Sequence, residues 1–200
     1  MSTQLYFIYD SHCPWCYAAT DLIDEVAQKL PQINIHFLHC GLYDGEDKVT
    51  KKAIDTVTEI TNAKFGKPYL AKLNEAKDST LAANLMGWSQ NKCPEKSLKI
   101  LKALQHAHFI EGNPELIASD VAEIVERLKL SAPSKSLQSE KLTKDAEFCM
   151  ADIEEIQEII GTQAIPALLL AHEDELVLLN HNLYLLEPAA IVDAIKQEIA

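Results

Sequence analysis

Two cysteines stand three positions apart in Tyr9–Ala19, YDSHCPWCYAA, with Pro14 and Trp15 between them. Thiols at this spacing suit three chemistries: half of a metal clip, a structural disulfide, or a redox pair that opens and closes. A zinc clip needs a second Cys or His pair at tight spacing, and Cys40, Cys93 and Cys149 have no CxxC partner. His36/His39 and His106/His108 are weak signals on their own, so no metal is expected. A chain of 200 residues, 48% hydrophobic, buries enough core to fold without a disulfide. Five cysteines is an odd number, and in a reducing compartment thiols stay free unless they do chemistry.

The balance of 18 basic against 30 acidic residues gives a net charge of −12. Nucleic acid and anionic membrane surfaces need clustered Lys and Arg, so neither is expected as a partner. No stretch approaches the ~20 apolar residues that span a bilayer. The start, MSTQLYFIYD, lacks a basic segment followed by a long apolar one. No secretory signal is read there, and a cytoplasmic location is expected. Nothing in the sequence sets an oligomeric state.

The elements that must position the two thiols follow from periodicity. QLYFIY, Gln4 to Tyr9, reads as a buried strand broken by Asp10, Ser11 and His12. Tyr17, Leu22, Ile23, Val26 and Leu30 recur at helical spacing, and Pro31 stops the helix. INIHFLHC, Ile33 to Cys40, alternates as a second strand, so the opening is a βαβ unit with parallel strands. Tyr43 to Lys52 reads as a polar exit, and from there to about Ile160 the signal is helical, with Ala53, Ile54, Val57 and Ile60 on one face. Ser79 is a candidate cap for a segment through Leu81, Leu85 and Met86. Glu95–Ile110 carries Leu98, Leu101, Leu104 and His108 on one stripe, with Gly112 at its stop. Pro114–Leu130 reads as a further helix, and SAPSKSLQSE, Ser131 to Glu140, as a polar connection. Leu142, Ala146, Cys149, Ile153, Ile156 and Ile160 keep an amphipathic spacing ended by Gly161, which makes Cys149 a small core residue. Ala167–Ala171 and Leu176–Leu179 flank HEDE as a hairpin, and Leu186–Ile199 is a last helix with Pro188 in its first turn. The expected class is α/β, with residues 1–48 and 161–200 forming one domain around a helical insertion, 49–160.

The CxxC therefore lies at a strand-to-helix junction. The first turn of a helix has unpaired N–H groups and the positive end of the macrodipole, so a thiolate at Cys13 is favoured. Cys16, one turn in, points the same way and is more deeply placed. The pair can bridge without unfolding anything. One thiolate attacks a partner disulfide and the other resolves the mixed species. Pro14 fits an early helical position. Trp15 brings an aromatic face and one N–H but no charge. His12, if protonated, and Asp10 would tune the thiolate with opposite signs. Cys93, beside Pro94 in a polar NKCPE loop, is expected to be exposed and oxidisable. A second signal is Ile165-Pro166 at the head of an apolar strand, where a proline costs no ladder hydrogen bond.

Taken in order, YDSHCPWCY, the helical stretch with ALQHAHFIEGNPEL, and GTQAIPALLL resemble the DsbA-type branch of the thioredoxin superfamily over essentially the whole chain. CPWC followed by Tyr17 is closer to the FrnE-like subgroup than to the periplasmic oxidases with CPHC. The resemblance implies a thioredoxin fold interrupted by helices and an enzyme that is a protein-disulfide oxidoreductase or isomerase. It implies Cys13 and Cys16 as the catalytic pair, tuned by His12, Pro14 and Trp15, with no cofactor beyond their own redox-active disulfide. It also implies a cis Pro166 facing the pair, with Ile165 offering its backbone to an extended substrate by strand addition. The expected partners are protein or peptide thiols and disulfides, with glutathione as a co-substrate. Trp15 in place of the oxidases' histidine implies a milder couple. The same branch holds glutathione-dependent hydroxychromene-carboxylate isomerases and kappa-class glutathione transferases, the alternative reading. Those usually carry serine where Cys13 stands and lack a resolving cysteine. A peptide-binding chaperone with incidental cysteines is the reading from another class.

Overall fold

The computed structural model describes residues 3–113, 116–131, 137 and 140–200. Its sheet has the order β2-β1-β3-β4. β1 (Gln4–Tyr9) pairs parallel with β2 (Asn34–His39) and antiparallel with β3 (Ala167–His172). β3 pairs antiparallel with β4 (Glu175–Leu179). The central position of β1 explains its nearly unbroken apolar run, since both of its faces are covered. The crossover from β1 to β2 is α1 (Pro14–Lys29). Leu22, Ile23 and Val26 are fully buried on it, and the Leu30 N–H closes its end on the Val26 carbonyl at 2.8 Å.

Between β2 and β3 run α2 (Lys51–Ile60), α3 (Lys67–Ala71), α4 (Thr80–Lys92), α5 (Ser97–Phe109), α6 (Ala118–Arg127) and α7 (Lys144–Ile160). α8 (Ala190–Glu198) follows the hairpin. One apolar core is continuous across this arrangement: Leu5 and Phe7 of the sheet, Cys16 and Leu22 of α1, and Leu85 and Ile100 of the helical block belong to the same buried cluster. Two glycines matter for how α7 is set. A Cβ on Gly87, where α4 crosses the start of α7, would stand 2.9 Å from the Ala146 backbone nitrogen, so the two helices approach as only glycine allows. Gly161 ends α7 with φ 68°, the left-handed geometry of a helix C-cap.

Several expected boundaries shift, each for a local reason. The helix expected over Pro114–Leu130 begins at Ala118, because the Asp120 carboxylate accepts the Ile117 N–H at 3.2 Å and closes the first turn there. Pro114 lies outside the described residues, as does most of the connection Ser131–Glu140. The last helix begins at Ala190 rather than Leu186. A short 3-10 turn, His181–Leu183, comes earlier, and Pro188 lies before the helix, its carbonyl accepting the Ile191 N–H at 3.3 Å. Ser79 does precede α4, but its side chain makes no cap bond. Asp78 takes the Thr80 N–H at 2.8 Å instead, and the Ser79 hydroxyl turns elsewhere.

Candidate active site

The chain leaves β1 at Tyr9 and enters α1 at Pro14, so Asp10–Cys13 form the junction at the end of the sheet. Cys13 is the N-cap of α1, with extended backbone geometry, and its carbonyl receives the Tyr17 N–H at 2.9 Å. Its Sγ accepts the Cys16 N–H at 3.4 Å. A sulfur in that position satisfies one of the unpaired donors of the helix end, and the interaction strengthens when the sulfur is anionic. Both thiols are buried, Cys13 at 6% exposure and Cys16 at 0%, so Cys13 is the less enclosed of the two. Burial, followed by the hydrogen bond and charge of Cys13, holds the Cys16 thiol well above its ordinary pKa. Pro14 occupies the first turn, buried, and Trp15 is half-buried against the core that holds both cysteines.

The junction is tied down by Asp10, a fully buried carboxylate. Its Oδ1 accepts the His12 N–H at 2.8 Å. Its Oδ2 accepts the Leu42 N–H at 2.6 Å and the Ser79 hydroxyl at 2.7 Å. One carboxylate thus joins the CxxC loop, the segment after β2 and the start of α4, which is what the Ser79 side chain does in place of capping. Ser11 extends the network: its N–H donates to His39 Nε2 at 3.1 Å, and its Oγ lies 2.8 Å from that nitrogen and 3.0 Å from His12 Nδ1. Removing the carboxylate would leave the His12 and Leu42 N–H groups without their acceptor and the Ser79 hydroxyl with only the Tyr43 carbonyl at 3.3 Å. Asp10→Ala is therefore expected to cost roughly 3 kcal/mol or more of folding stability, read from the denaturant midpoint of the reduced protein.

His12 takes a different place from the one a charged tuning residue needs. It is fully buried, and burial together with His108, His39 and Lys77 holds its pKa well below the ordinary value. The imidazole is neutral near pH 7 and lends Cys13 no positive charge. It packs against His108 of α5, ring centroids 3.9 Å apart, so the helical insertion touches the residue preceding Cys13. His108 Nδ1 donates to the Asn113 carbonyl at 2.7 Å, which leaves its Nε2 a bare acceptor, and burial pushes its pKa down to about 3. Around this pair stand Tyr69 (5.2 Å from the His108 ring), Phe109 (4.6 Å from it) and Tyr43 (6.4 Å from the His12 ring). Tyr17 stacks on Phe109 at 4.5 Å, which carries the aromatic surface to the turn after Cys16. Burial raises the Tyr43 and Tyr69 pKa, and a thiolate at Cys13 raises both further, so both phenols stay protonated beside it. Sequence reading missed Ser11, His39, Tyr43, Tyr69 and Phe109 as site neighbours. Only ALQHAHF, unusually rich in histidine for an apolar helix face, hinted at α5's part.

The Ile165-Pro166 bond is cis. Pro166 is buried one residue beyond the Ile8–Ala167 pair, at the end of the sheet from which the CxxC junction springs. Ile165 is half-buried and packs against the core that contains Cys13 and Cys16. The other cysteines are scattered. Cys149 is buried on α7, its thiol donating to the His39 carbonyl at 3.8 Å, with its pKa raised by burial to about 11. Cys40 follows β2 and is half-buried, its pKa also raised by burial. Cys93 is half-buried at the end of α4 rather than free in a loop. His36 stacks on Tyr6 at 4.6 Å and bonds Gln4, His39 is in the junction network, and exposed His106 faces Glu111 at 3.2 Å. Among the described residues, no three His, Cys, Asp or Glu groups are arranged to hold a metal.

No family model matches the chain, and no curated protein matches it in sequence. Solved structures do match in shape. The cytosolic disulfide reductase DsbM from Pseudomonas aeruginosa superposes with a TM-score of 0.84 at 19% identity, covering 98% of each chain. The same protein with GSH superposes at 0.80, again at 19% identity and 98% of each chain. A Nitrosomonas europaea structure classed with the protein disulfide isomerases gives 0.74 at 16% identity over 100% of both chains. The fold is thus the thioredoxin fold interrupted by a helical insertion, as in DsbA-like proteins.

Proposed function

We propose that the protein is a thiol-disulfide oxidoreductase working through Cys13 and Cys16. The observation that carries this reading is the asymmetry of the pair. Cys13 caps a helix with its sulfur toward the Cys16 N–H, where an anion is stabilised, and is the less enclosed thiol, while Cys16 is fully buried. In the reducing direction, the Cys13 thiolate attacks one sulfur of a substrate disulfide and expels the other as a thiolate, which takes a proton from water. Cys16 then attacks Cys13, its proton passes to the departing sulfur, and the substrate leaves as two thiols while Cys13–Cys16 becomes the disulfide. Two electrons move from the pair to the substrate, and the reverse sequence oxidises a dithiol. The potential of the pair against that of its recharging partner sets the net direction.

Pro166 and Ile165 are assigned to substrate binding. The backbone of Ile165 makes no hydrogen bond to the described residues, so both of its groups are available to an extended chain lying alongside. Pro14 and Trp15 are assigned to shaping the entrance to Cys13. Protein or peptide thiols are the proposed partners. Glutathione is proposed as a small co-substrate, supported by the similarity to a disulfide reductase whose structure carries GSH. The similarity to a cytosolic protein supports a reducing compartment, and no helix among the described residues is long and apolar enough to cross a membrane. Paired thiols favour exchange over the glutathione-dependent isomerisation named for a more distant neighbour, a hydroxychromene-carboxylate isomerase with a TM-score of 0.58.

Cys16→Ser is expected to convert the protein into a trap. Mixed disulfides with client proteins or glutathione accumulate on Cys13, because the resolving step is gone. Peptide mapping of the adducts checks this, and adducts found mainly on Cys40 or Cys93 would overturn the assignment.

A further inference from the structure

A groove of about 290 Å³ opens between α7 and the segments that follow β2 and precede β3. Its apolar lining is Leu42, Met150, Ile153 and Ile165, with Cys40. Leu42 is 52% exposed. The groove belongs to the same neighbourhood as the chemistry. Ile165 adjoins Pro166, the Leu42 N–H is held by Asp10, and a thiolate at Cys13 acts on Cys40.

The charges along this groove have one sign. Of its lining residues Glu154 is a carboxylate, Gln157 and Gln163 are amides, and none is a base. On a helix, positions three, four and seven apart share a face. Glu147, Met150, Glu154 and Glu158 therefore form one row along α7, opened by Lys144 at the first residue of the helix; the three carboxylates are exposed, and Glu154 is the one that lines the groove. Among the described residues none of the three forms an ion pair within 4 Å. From Glu147 to Glu158 the helix rises about 16 Å at ~1.5 Å per residue. That matches about five residues of extended chain at ~3.3 Å each.

Glutathione fits this surface poorly, because it has two carboxylates and one ammonium and the groove offers no cation. We propose that the groove receives an extended, basic stretch of polypeptide flanking the disulfide that Cys13 attacks, with an apolar side chain on Met150 and Ile153 and Lys or Arg residues along Glu147, Glu154 and Glu158. This inference rests on the exchange reading above and adds the class of substrate. The protein exchanges with cationic protein segments faster than with glutathione.

The test uses the full reduced chain in single turnover at low salt. Two short peptides share one cysteine, joined in a mixed disulfide to thionitrobenzoate and flanked by leucines. One has lysines at its ends and the other glutamates. The lysine peptide is expected to react about tenfold faster than the glutamate peptide, as three surface charge contacts of modest size would give. It is also expected to react faster than oxidised glutathione. The ratio is expected to fall toward one in a Glu147→Gln/Glu154→Gln/Glu158→Gln variant and at ~1 M salt, where charges are screened beyond about 3 Å. Equal rates for the two peptides, or a ratio that survives the triple variant, would overturn the groove assignment. Hydroxyethyl disulfide separates the two readings. If it is reduced while the peptides are indistinguishable, only the groove assignment falls. If neither it nor any peptide is reduced, the exchange reading falls and the groove assignment with it.

Discussion

Cys13→Ser loses disulfide exchange by on the order of 10⁴-fold or more, while the protein stays folded. A serine hydroxyl is not ionised near neutrality and forms no disulfide, so the covalent step disappears. The fold has little reason to suffer. Cys13 sits at an N-cap, its sulfur accepting the Cys16 N–H at 3.4 Å, and serine is among the preferred residues there. No other thiol replaces it. Cys16 is fully buried, and burial raises the pKa of Cys16, Cys40, Cys93 and Cys149, the last to about 11. Activity is checked with hydroxyethyl disulfide and folding with a denaturant titration of the same sample. Loss of activity with an unchanged midpoint is the expected pair of results, and retained exchange would remove Cys13 from its role.

Folding stability is expected to fall steeply as the pH drops from about 6.5 toward 4. His108 is fully buried with a folded pKa of about 3, and burial lowers His12 and His39 as well. In the unfolded chain each imidazole titrates near ~6.5. Above that pH both states are neutral and the stability is fully present. Below it the unfolded chain binds protons that the folded chain refuses, so stability is lost as the pH falls toward the depressed folded values. The slope is about 1.4 kcal/mol per pH unit for each such histidine, and several kcal/mol in total across the window. Denaturant midpoints at successive pH values check this. His108→Phe, which keeps a ring beside His12, is expected to reduce the slope by about one proton. A wild-type midpoint that is level between pH 7 and 5 would contradict the buried, neutral imidazoles.

Much of this architecture could be read from residue pattern. The apolar run Gln4–Tyr9, the helical spacing after Cys13 and the alternation of Ile33–Cys40 give the βαβ opening, because a central strand and an amphipathic crossover helix have distinct periods. Gly161 and the hairpin after Pro166 were equally legible. What pattern could not supply was contact between distant segments. Ser79 has the sequence signature of a cap, yet its hydroxyl bonds Asp10, sixty-nine positions away. His12 reads as a loop residue able to carry charge. Its burial, with His108 packed against it from α5, makes it a neutral ring, a contact that the histidines of ALQHAHF only hint at. The start of α6 at Ala118 turns on one side-chain hydrogen bond from Ile117 to Asp120 that helix periodicity does not register.

The central claim is that Cys13 and Cys16 interconvert reversibly between dithiol and disulfide. The most direct measurement equilibrates the protein across a series of reduced-to-oxidised glutathione ratios, quenches with an alkylating agent and maps every cysteine by mass spectrometry. The expected result is one reversible transition in which Cys13 and Cys16 lose two hydrogens together as a bridged pair, while Cys40, Cys93 and Cys149 stay alkylated. A Cys13 and Cys16 that never bridge at any ratio, or a bridge that forms instead through Cys40 or Cys93, would contradict it.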